Sequence, residues 1–379
     1  MAKRKRARGE GTIGRASDGR WVARVSVGYR GNKRIRRAVY GQTRREVAGK
    51  LTTLLNAQQT GQLIPAGKQT VGTFLDRWLA DIVRPSVRPL TYDSYETQVR
   101  VHLVPELGRI RLDQLSPQDV QSYLTRKLKS GLSPRTVQYQ RTVLRRALNQ
   151  ATKWDLCSRN AAALTRAPHV PKTVVEPFSV AEVKTFLKAV EDEPLGPAFV
   201  VAATTGVRRA ECLGLRWSDV DFERGQLRVS GALQRIEGRL QLTPTKSSRS
   251  RVVTLTTRAA EALKGHRRRQ LERQLSVGKE WRNELDLVFT NSLGKGLEAR
   301  TFIRCFKKVL RESGLRDLRF HDLRHGFASM LLSEGVNVKI VQELLGHSSV
   351  LVTLDTYAHF SADLQNDAVS RLDTLLGTN

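Results

Sequence analysis

The chain has 379 residues, 40% hydrophobic and 27% charged, the balance of a soluble globular protein long enough for two or three domains. Its charge is lopsided: 65 Lys+Arg face 36 Asp+Glu, a formal net charge of +29, which makes nucleic acid the leading partner. No run of about 18 apolar residues occurs and no basic amphipathic helix adjoins an anchor, so a membrane partner is not expected. Cys157, Cys212 and Cys305 are scattered, without a Cys-x-x-Cys pair, which argues against both a disulfide framework and a structural zinc site. The basic N-terminus leads into no apolar signal segment, and the expected location is the cytoplasm, with the nucleoid.

Residues 1–50 hold 16 Lys+Arg against 3 Asp+Glu, nearly half of the excess charge. Trp21, Ala23, Val25 and Val27 alternate with polar positions, and Ile35, Arg37 and Val39 alternate again after a turn at Gly31-Asn32. Thr43 and Glu46 read as a capping box for a helix to about Thr60. A ribbon on one helix, with arginines on its open face, has the size and charge to lie in a major groove. Residues 1–63 are therefore read as a small basic domain, followed by a linker at Gly61–Gly67.

Residues 68–165 are expected to be helical. Phe74, Leu75, Trp78, Leu79 and Ile82 fall at helical spacing, and a second helix from about Thr91 to Leu103 is expected to end at Pro105 and Gly108. Ser116-Pro117 and Ser133-Pro134 each place a capping serine before a first-turn proline. Arg135, Arg141, Arg145, Arg146 and Lys153 crowd the last of these helices, a face suited to phosphate backbone. Ala161–Pro177 reads as a linker, and Ser179 with Glu182 opens a further domain over 175–379. There, β-like runs at Leu227–Ser230, Arg239–Pro244, Arg251–Leu255 and Leu287–Thr290 interrupt helices, including one at Arg258–Ser276. From Thr301 the chain is helical again, with apolar stripes at Met330–Leu332 and at Ile340, Val341, Leu344 and Leu345, separated by Gly335.

Polar residues punctuate this C-terminal region. Thr205-Gly206-Val207-Arg208 turns into a helix, placing an arginine by a helix N-terminus, which makes an anion site. Lys246 falls between two β-runs and is expected at a hairpin tip. His321 and Arg324 share a helical face, and His347 and Tyr357 follow. His321 and His325 are four apart, but the glutamate of a His-Glu-x-x-His zinc motif is absent. No acidic cluster suits a phosphate-bound metal and no G-x-x-x-x-G-K-[ST] loop is present, so neither metal nor nucleotide cofactor is expected. Phosphoryl transfer without them needs cations on the oxyanion, a nucleophile such as a tyrosine phenol, an acid and a base. Singly, Tyr357 reads as a packing residue and Arg208 as surface; jointly these residues point to such chemistry.

The same stretches carry a resemblance. Thr205-Gly206-x-Arg208-x-x-Glu211-x-Leu213, His321-Asp322-Leu323-Arg324-His325 and Leu344-Leu345-Gly346-His347 followed by Tyr357 resemble the motif boxes of the tyrosine recombinase (phage integrase) family over about residues 175–360. Residues 68–165 are similar to that family's core-binding domain, and 1–63 to the arm-binding domains of phage and conjugative-transposon integrases. The resemblance implies a multidomain, mainly α fold with a small β component: a β-ribbon plus helix, a helical domain and a mixed α+β catalytic domain.

It further implies a site-specific recombinase acting through a 3′-phosphotyrosyl intermediate and a Holliday junction, integrating and excising a mobile element. Tyr357 would attack the phosphate, Arg208 and Arg324 clamp it, Lys246 protonate the leaving 5′-oxygen, His321 serve as acid/base, and His347 donate to the phosphate. Glu211 would buttress the first arginine. Implied partners are double-stranded DNA attachment sites and a homotetramer, with an excisionase or DNA-bending host factor as accessories. A C-terminal tail with Leu364, Val369, Leu372 and Leu376 is expected to dock on a neighbouring protomer. A non-catalytic DNA-binding regulator and a topoisomerase-like nicking-closing enzyme are the rival readings.

Overall fold

The computed structural model describes residues 11–30, 33–59, 69–171, 176–245, 250–347, 349–350, 354, 374 and 376–377. The chain divides into two compact units, Met1–Lys172 and Thr173–Asn379, and is mainly helical with small sheets.

Among the described residues of the first unit, β1 (Thr12–Arg15), β2 (Trp21–Arg30) and β3 (Lys33–Gly41) form an antiparallel sheet in that order, followed by α1 (Arg44–Gln59). The expected two-stranded ribbon thus has a third strand. Thr12–Arg15 is too short for alternation to reveal it, but Asp18-Gly19 is a tight-turn pair. Gly19 takes φ +80°, and the Ala16 N–H donates to the Arg20 carbonyl at 2.8 Å. Register places Ala23 beside Ile13 and Val39, and Ala23 and Val25 pack on Val47 and Leu51 of α1. Arg24 and Arg36 are exposed on the opposite face. The Glu46 N–H donates to Thr43 Oγ1, but the Glu46 carboxylate accepts from the Gln42 N–H instead of closing a box on Thr43. The turn expected at Gly31-Asn32 and the linker at 61–67 lie outside the described residues.

The helices of this unit are α2 (Val71–Trp78), α3 (Arg84–Ser86), α4 (Pro89–Thr97), α5 (Val104–Leu107), α6 (Pro117–Lys129) and α7 (Pro134–Lys153). A π turn at Leu79–Val83 joins α2 to α3, and another at Gln98–Leu103 joins α4 to α5. Each is followed by a proline, Pro85 and Pro105. A proline ring crowds the preceding turn and offers no N–H to it; a widened turn relieves both conflicts. The helix expected to end at Leu103 therefore runs through Pro105 to Leu107. Ser116 and Ser133 cap α6 and α7 as the Ser-Pro pairs indicated. Phe74, Trp78, Leu103, Tyr123 and Leu144 fill the core, which also takes in Ala161 and Ala162 from the stretch read as linker. On α7, Arg135, Arg145, Arg146 and Lys153 are exposed. Arg141 is not part of that open face: its guanidinium donates to Thr165 Oγ1 at 2.8 Å and to the Thr165 carbonyl at 2.7 Å, latching the chain end onto the bundle.

The second unit contains α8 (Val180–Ala189), α9 (Gly196–Thr205), α10 (Arg209–Leu213), β4 (Val220–Asp221), β5 (Gln226–Val229), β6 (Gly231–Ile236), β7 (Arg239–Pro244), β8 (Arg251–Thr254), α11 (Thr257–Val277), α12 (Ala299–Glu312), α13 (Phe320–Ser333) and α14 (Val338–Leu345). Helix α9 is apolar on all sides and lies at the centre. Phe199 packs there with Phe186, Phe302 and Phe306, and Phe320 of α13 closes on the last two. In α14, Val341 and Leu345 are buried but Ile340 is exposed, so the apolar stripe is narrower than expected.

Two β expectations need correction. Leu287–Thr290 is not a strand but two isolated bridges, Arg216 to Leu287 and Thr290 to Gly296. Its carbonyls are taken by side chains: Gln270 Nε2 donates to Val288 O at 2.9 Å and Asn283 Nδ2 to Leu287 O at 2.9 Å. Nor do β7 and β8 form a hairpin with each other. Strand β7 pairs with β6, and β8 with β5, so the segment between them connects two sheets. Among the described residues no helix is long and apolar enough to cross a membrane.

Candidate active site

The site is built around the C-terminal end of α14, within the second unit. Helix α9 stops at Gly206, which takes the left-handed φ of +63°. A Cβ there would lie 2.6 Å from Phe327 Cδ1 and 2.9 Å from Leu345 Cδ2, so only glycine lets this turn press against α13 and α14. Two residues on, Arg208 precedes α10 in an extended conformation. Its Nη1 donates to Glu211 Oε1 at 2.7 Å, its backbone N–H to Glu211 Oε2 at 3.0 Å, and its Nη2 to the Gly346 carbonyl at 3.3 Å. Because α10 has only five residues, its dipole is slight, and the attraction for an anion resides in the guanidinium rather than in the helix terminus.

On α13, Asp322 is buried and accepts from the Arg319 N–H at 2.7 Å and from Arg319 Nη2 at 2.8 Å, fixing the first turn. Arg324, only 2% exposed, donates from Nη1 to the Gly206 carbonyl at 2.7 Å and from Nη2 to the Leu345 carbonyl at 2.6 Å. His321 opens to solvent one turn earlier, its ring centroid 4.9 Å from that of His325. Gly346 ends α14 at φ +66°, and the His347 N–H donates to the Gln342 carbonyl at 3.1 Å.

Arg251, at the start of β8, is a residue that sequence reasoning missed. Its Nη2 donates to Glu211 Oε2 at 2.7 Å and its Nε to the Leu344 carbonyl at 2.8 Å. Three successive carbonyls, Leu344, Leu345 and Gly346, thus accept from Arg251, Arg324 and Arg208 respectively. In sequence Arg251 is one of 65 basic residues, and the only local hint is that it opens an alternating apolar run.

Burial would raise the Glu211 carboxyl, which is 1% exposed, but the hydrogen bond and charge of Arg251, with Arg208, hold it down at about 2. Desolvation of the ring, with the positive fields of His325, Arg324 and Arg208, pushes His321 down to about 4. The residue as a whole is exposed, so water screens the desolvation part, and the direction rests on the cations. His347 is likewise pushed to about 4 by burial and then by Arg324 and Arg208. Both imidazoles are therefore neutral at neutral pH, able to accept a proton or to donate through one nitrogen.

A histidine whose folded pKa is depressed binds fewer protons folded than unfolded, so its contribution to stability is lost as pH falls from about 6.5 towards 4. Thermal unfolding of the DNA-free protein should accordingly show Tm falling over that interval. A flat or rising Tm between pH 6.5 and 5 would contradict this electrostatic description.

Arg208, His321, Arg324 and His347 converge at the end of α14, whereas Lys246 and Tyr357 lie outside the described residues, as does nearly all of the tail after it. Among the described residues, no group of three or more His, Cys, Asp or Glu is arranged to hold a metal.

Two family models match the chain: "Phage integrase family" over residues 178–363 and "Phage integrase, N-terminal SAM-like domain" over 70–128. A relative from Caldanaerobacter subterraneus subsp. tengcongensis, named "Tyrosine recombinase XerC-like", is 31% identical over 372 residues, covering 93% of this chain and 95% of its own. The chain belongs to the phage integrase family of tyrosine recombinases. It is a tyrosine-type site-specific recombinase, and the regulator and topoisomerase readings are the weaker ones. An "Integrase" of Saccharopolyspora erythraea is 29% identical over 430 residues, with 98% of each chain covered. In fold, the chain is similar to the Tn1549 transposon integrase, with a TM-score of 0.68 at 22% identity over 80% of this chain and 99% of that one.

Proposed function

We propose that this recombinase cuts and rejoins duplex DNA at the attachment sites of a mobile element, with Tyr357 as nucleophile and Arg208, Lys246, His321, Arg324 and His347 as its catalytic partners. The observation that carries the reading is the meeting of two arginines and two histidines at one helix end, a set of charged and neutral donors suited to a phosphate diester. The Tyr357 oxygen attacks phosphorus and the bond to the 5′-oxygen breaks. His321 takes the phenolic proton and Lys246 supplies one to the 5′-oxygen. Arg208 and Arg324 neutralise the nonbridging oxygens in the transition state, and His347 donates to one of them. The link to Tyr357 conserves the phosphoester, so a second 5′-hydroxyl restores the DNA by the reverse step without nucleotide hydrolysis.

The same reading divides the chain into an arm-type DNA-binding domain (1–63), a core-binding domain (68–165) and a catalytic domain (175–379). The exposed arginines of β2, β3 and α7 support the first two, placing positive charge on open faces. Four protomers on two sites, exchanging strands through a Holliday junction, would complete the reaction. An excisionase or bending factor would set its direction, in the cytoplasm beside the nucleoid. The solved Tn1549 transposon integrase is in complex with circular intermediate DNA, which supports a mobile-element substrate.

The test uses the full chain with two plasmids carrying the DNA that flanks its gene, in EDTA and without nucleotide. Joined recombinant products are expected. Relaxed plasmid without joining would favour the nicking-closing reading, and binding without any strand breakage the regulator.

A further inference from the structure

The second unit holds a buried cation that none of the roles above uses. The Arg251 side chain is 10% exposed and that of its partner Glu211 2%. A buried ion pair is poor at stabilising a fold, because desolvation of both ions offsets their attraction, and an apolar pair would pack as well. What the pair does supply is direction. Glu211 Oε1 accepts from the Arg208 guanidinium, while Oε2 accepts from both the Arg208 backbone N–H and Arg251, so the Arg208 guanidinium is oriented through a carboxylate that Arg251 holds in its charged form. The other limb of the Arg251 fork is fixed to the Leu344 carbonyl, one residue before the carbonyl that takes Arg324 and three before His347. Gly346 lies flat against the same guanidinium: a Cβ there would come 3.1 Å from Arg251 Nη1 and 3.2 Å from its Cδ.

We propose that Arg251 is a positioning residue for strand cleavage, clipping the start of β8 to both Glu211 and the end of α14, so that Arg208 and His347 face one phosphate. It touches no reacting atom. Its effect passes through Arg208 by way of Glu211 and through His347 by way of the Leu344 carbonyl. A lysine in its place would retain a cation beside Glu211 but has no planar fork to hold the carbonyl at the same time. This inference rests on the reading that Arg208 and His347 act on DNA phosphate.

The experiment is a cycle of Arg251→Gln, Arg208→Ala and the double variant in the full chain. Single-turnover covalent cleavage of a nicked suicide duplex is measured alongside the dissociation constant for that duplex and Tm. Arg251→Gln should slow cleavage by about 10²-fold, the scale of one oriented donor lost from a transition state, with duplex affinity within about threefold. Because Arg251 acts in part through Arg208, the double variant should cleave well above the product of the two single losses. Arg251→Lys should recover part of the rate and also serves as the cycle partner if the glutamine variant does not fold. Losses that multiply in the double variant, cleavage at the wild-type rate, or duplex affinity falling in step with cleavage would each overturn the proposal; a lower Tm is expected, since Arg251→Gln leaves Glu211 buried without its partner. If the unsubstituted protein forms no adduct, the phosphate-cleavage reading fails instead, which keeps the two failures distinct.

Discussion

Arg324→Ala should lower the single-turnover rate of covalent adduct formation by about 10³–10⁵-fold, the range spanned when an arginine that stabilises phosphoryl-transfer charge is removed. Arg324 is nearly inaccessible, and its fork ties the Gly206 turn to the end of α14, so the substitution also strands two buried acceptors. Each unsatisfied carbonyl costs about 1–3 kcal/mol, and Tm should therefore drop as well. Arg324→Lys keeps the charge but cannot reach the Gly206 and Leu345 carbonyls together, and it should recover little of the rate. Cleavage by Arg324→Ala within tenfold of wild type would remove this residue from the phosphate clamp.

Glu211→Ala should produce the largest loss of stability. It leaves Arg251 buried without its carboxylate and frees the side chain and backbone N–H of Arg208. Breaking a buried ion pair by removing one partner costs about 3–5 kcal/mol, equivalent to a fall in Tm of roughly 6–20 °C for a domain of this size. The pH dependence follows from the sign of the shift. The Glu211 carboxyl is held at about 2, below its ordinary 4.5, so its contribution is full above pH 4.5 and lost as pH falls through 2. The gap in Tm between wild type and Glu211→Ala should consequently narrow on acidification below about pH 4.5. A change in Tm of less than about 2 °C at pH 7 would show that the carboxylate is not a keystone of the site.

Much of this organisation was legible in the sequence because it depends on local chemistry. Ser116-Pro117, Ser133-Pro134 and Ser179 with Glu182 cap helices by contacts spanning three residues, and the helices begin where those signals stand. Arg208, His321, Arg324 and His347 stand in the motif boxes that carry the family resemblance, and the fold brings these four together at the end of α14. What stayed hidden depends on contacts remote in sequence. Pro105 reads as a helix end unless the π turn before it is known. Leu287–Thr290 reads as a strand, yet its carbonyls are taken by Asn283 and by Gln270 of α11. Arg141 looks like one more exposed arginine of α7 until Thr165 folds back onto it. Arg251 is the sharpest instance, since its partners Glu211 and Leu344 lie 40 and 93 residues away and the three-carbonyl arrangement exists only in the folded unit.

The most direct measurement is chemical identification of the covalent intermediate. The full chain is trapped on a nicked duplex carrying the flanking DNA, in EDTA, and the adduct is digested with trypsin and nuclease for mass spectrometry. The nucleotide should be found on the peptide containing Tyr357, joined through a 3′-phosphate, with a free 5′-hydroxyl on the released strand. A nucleotide carried by any other residue, or a 5′-phosphate linkage, would contradict the account.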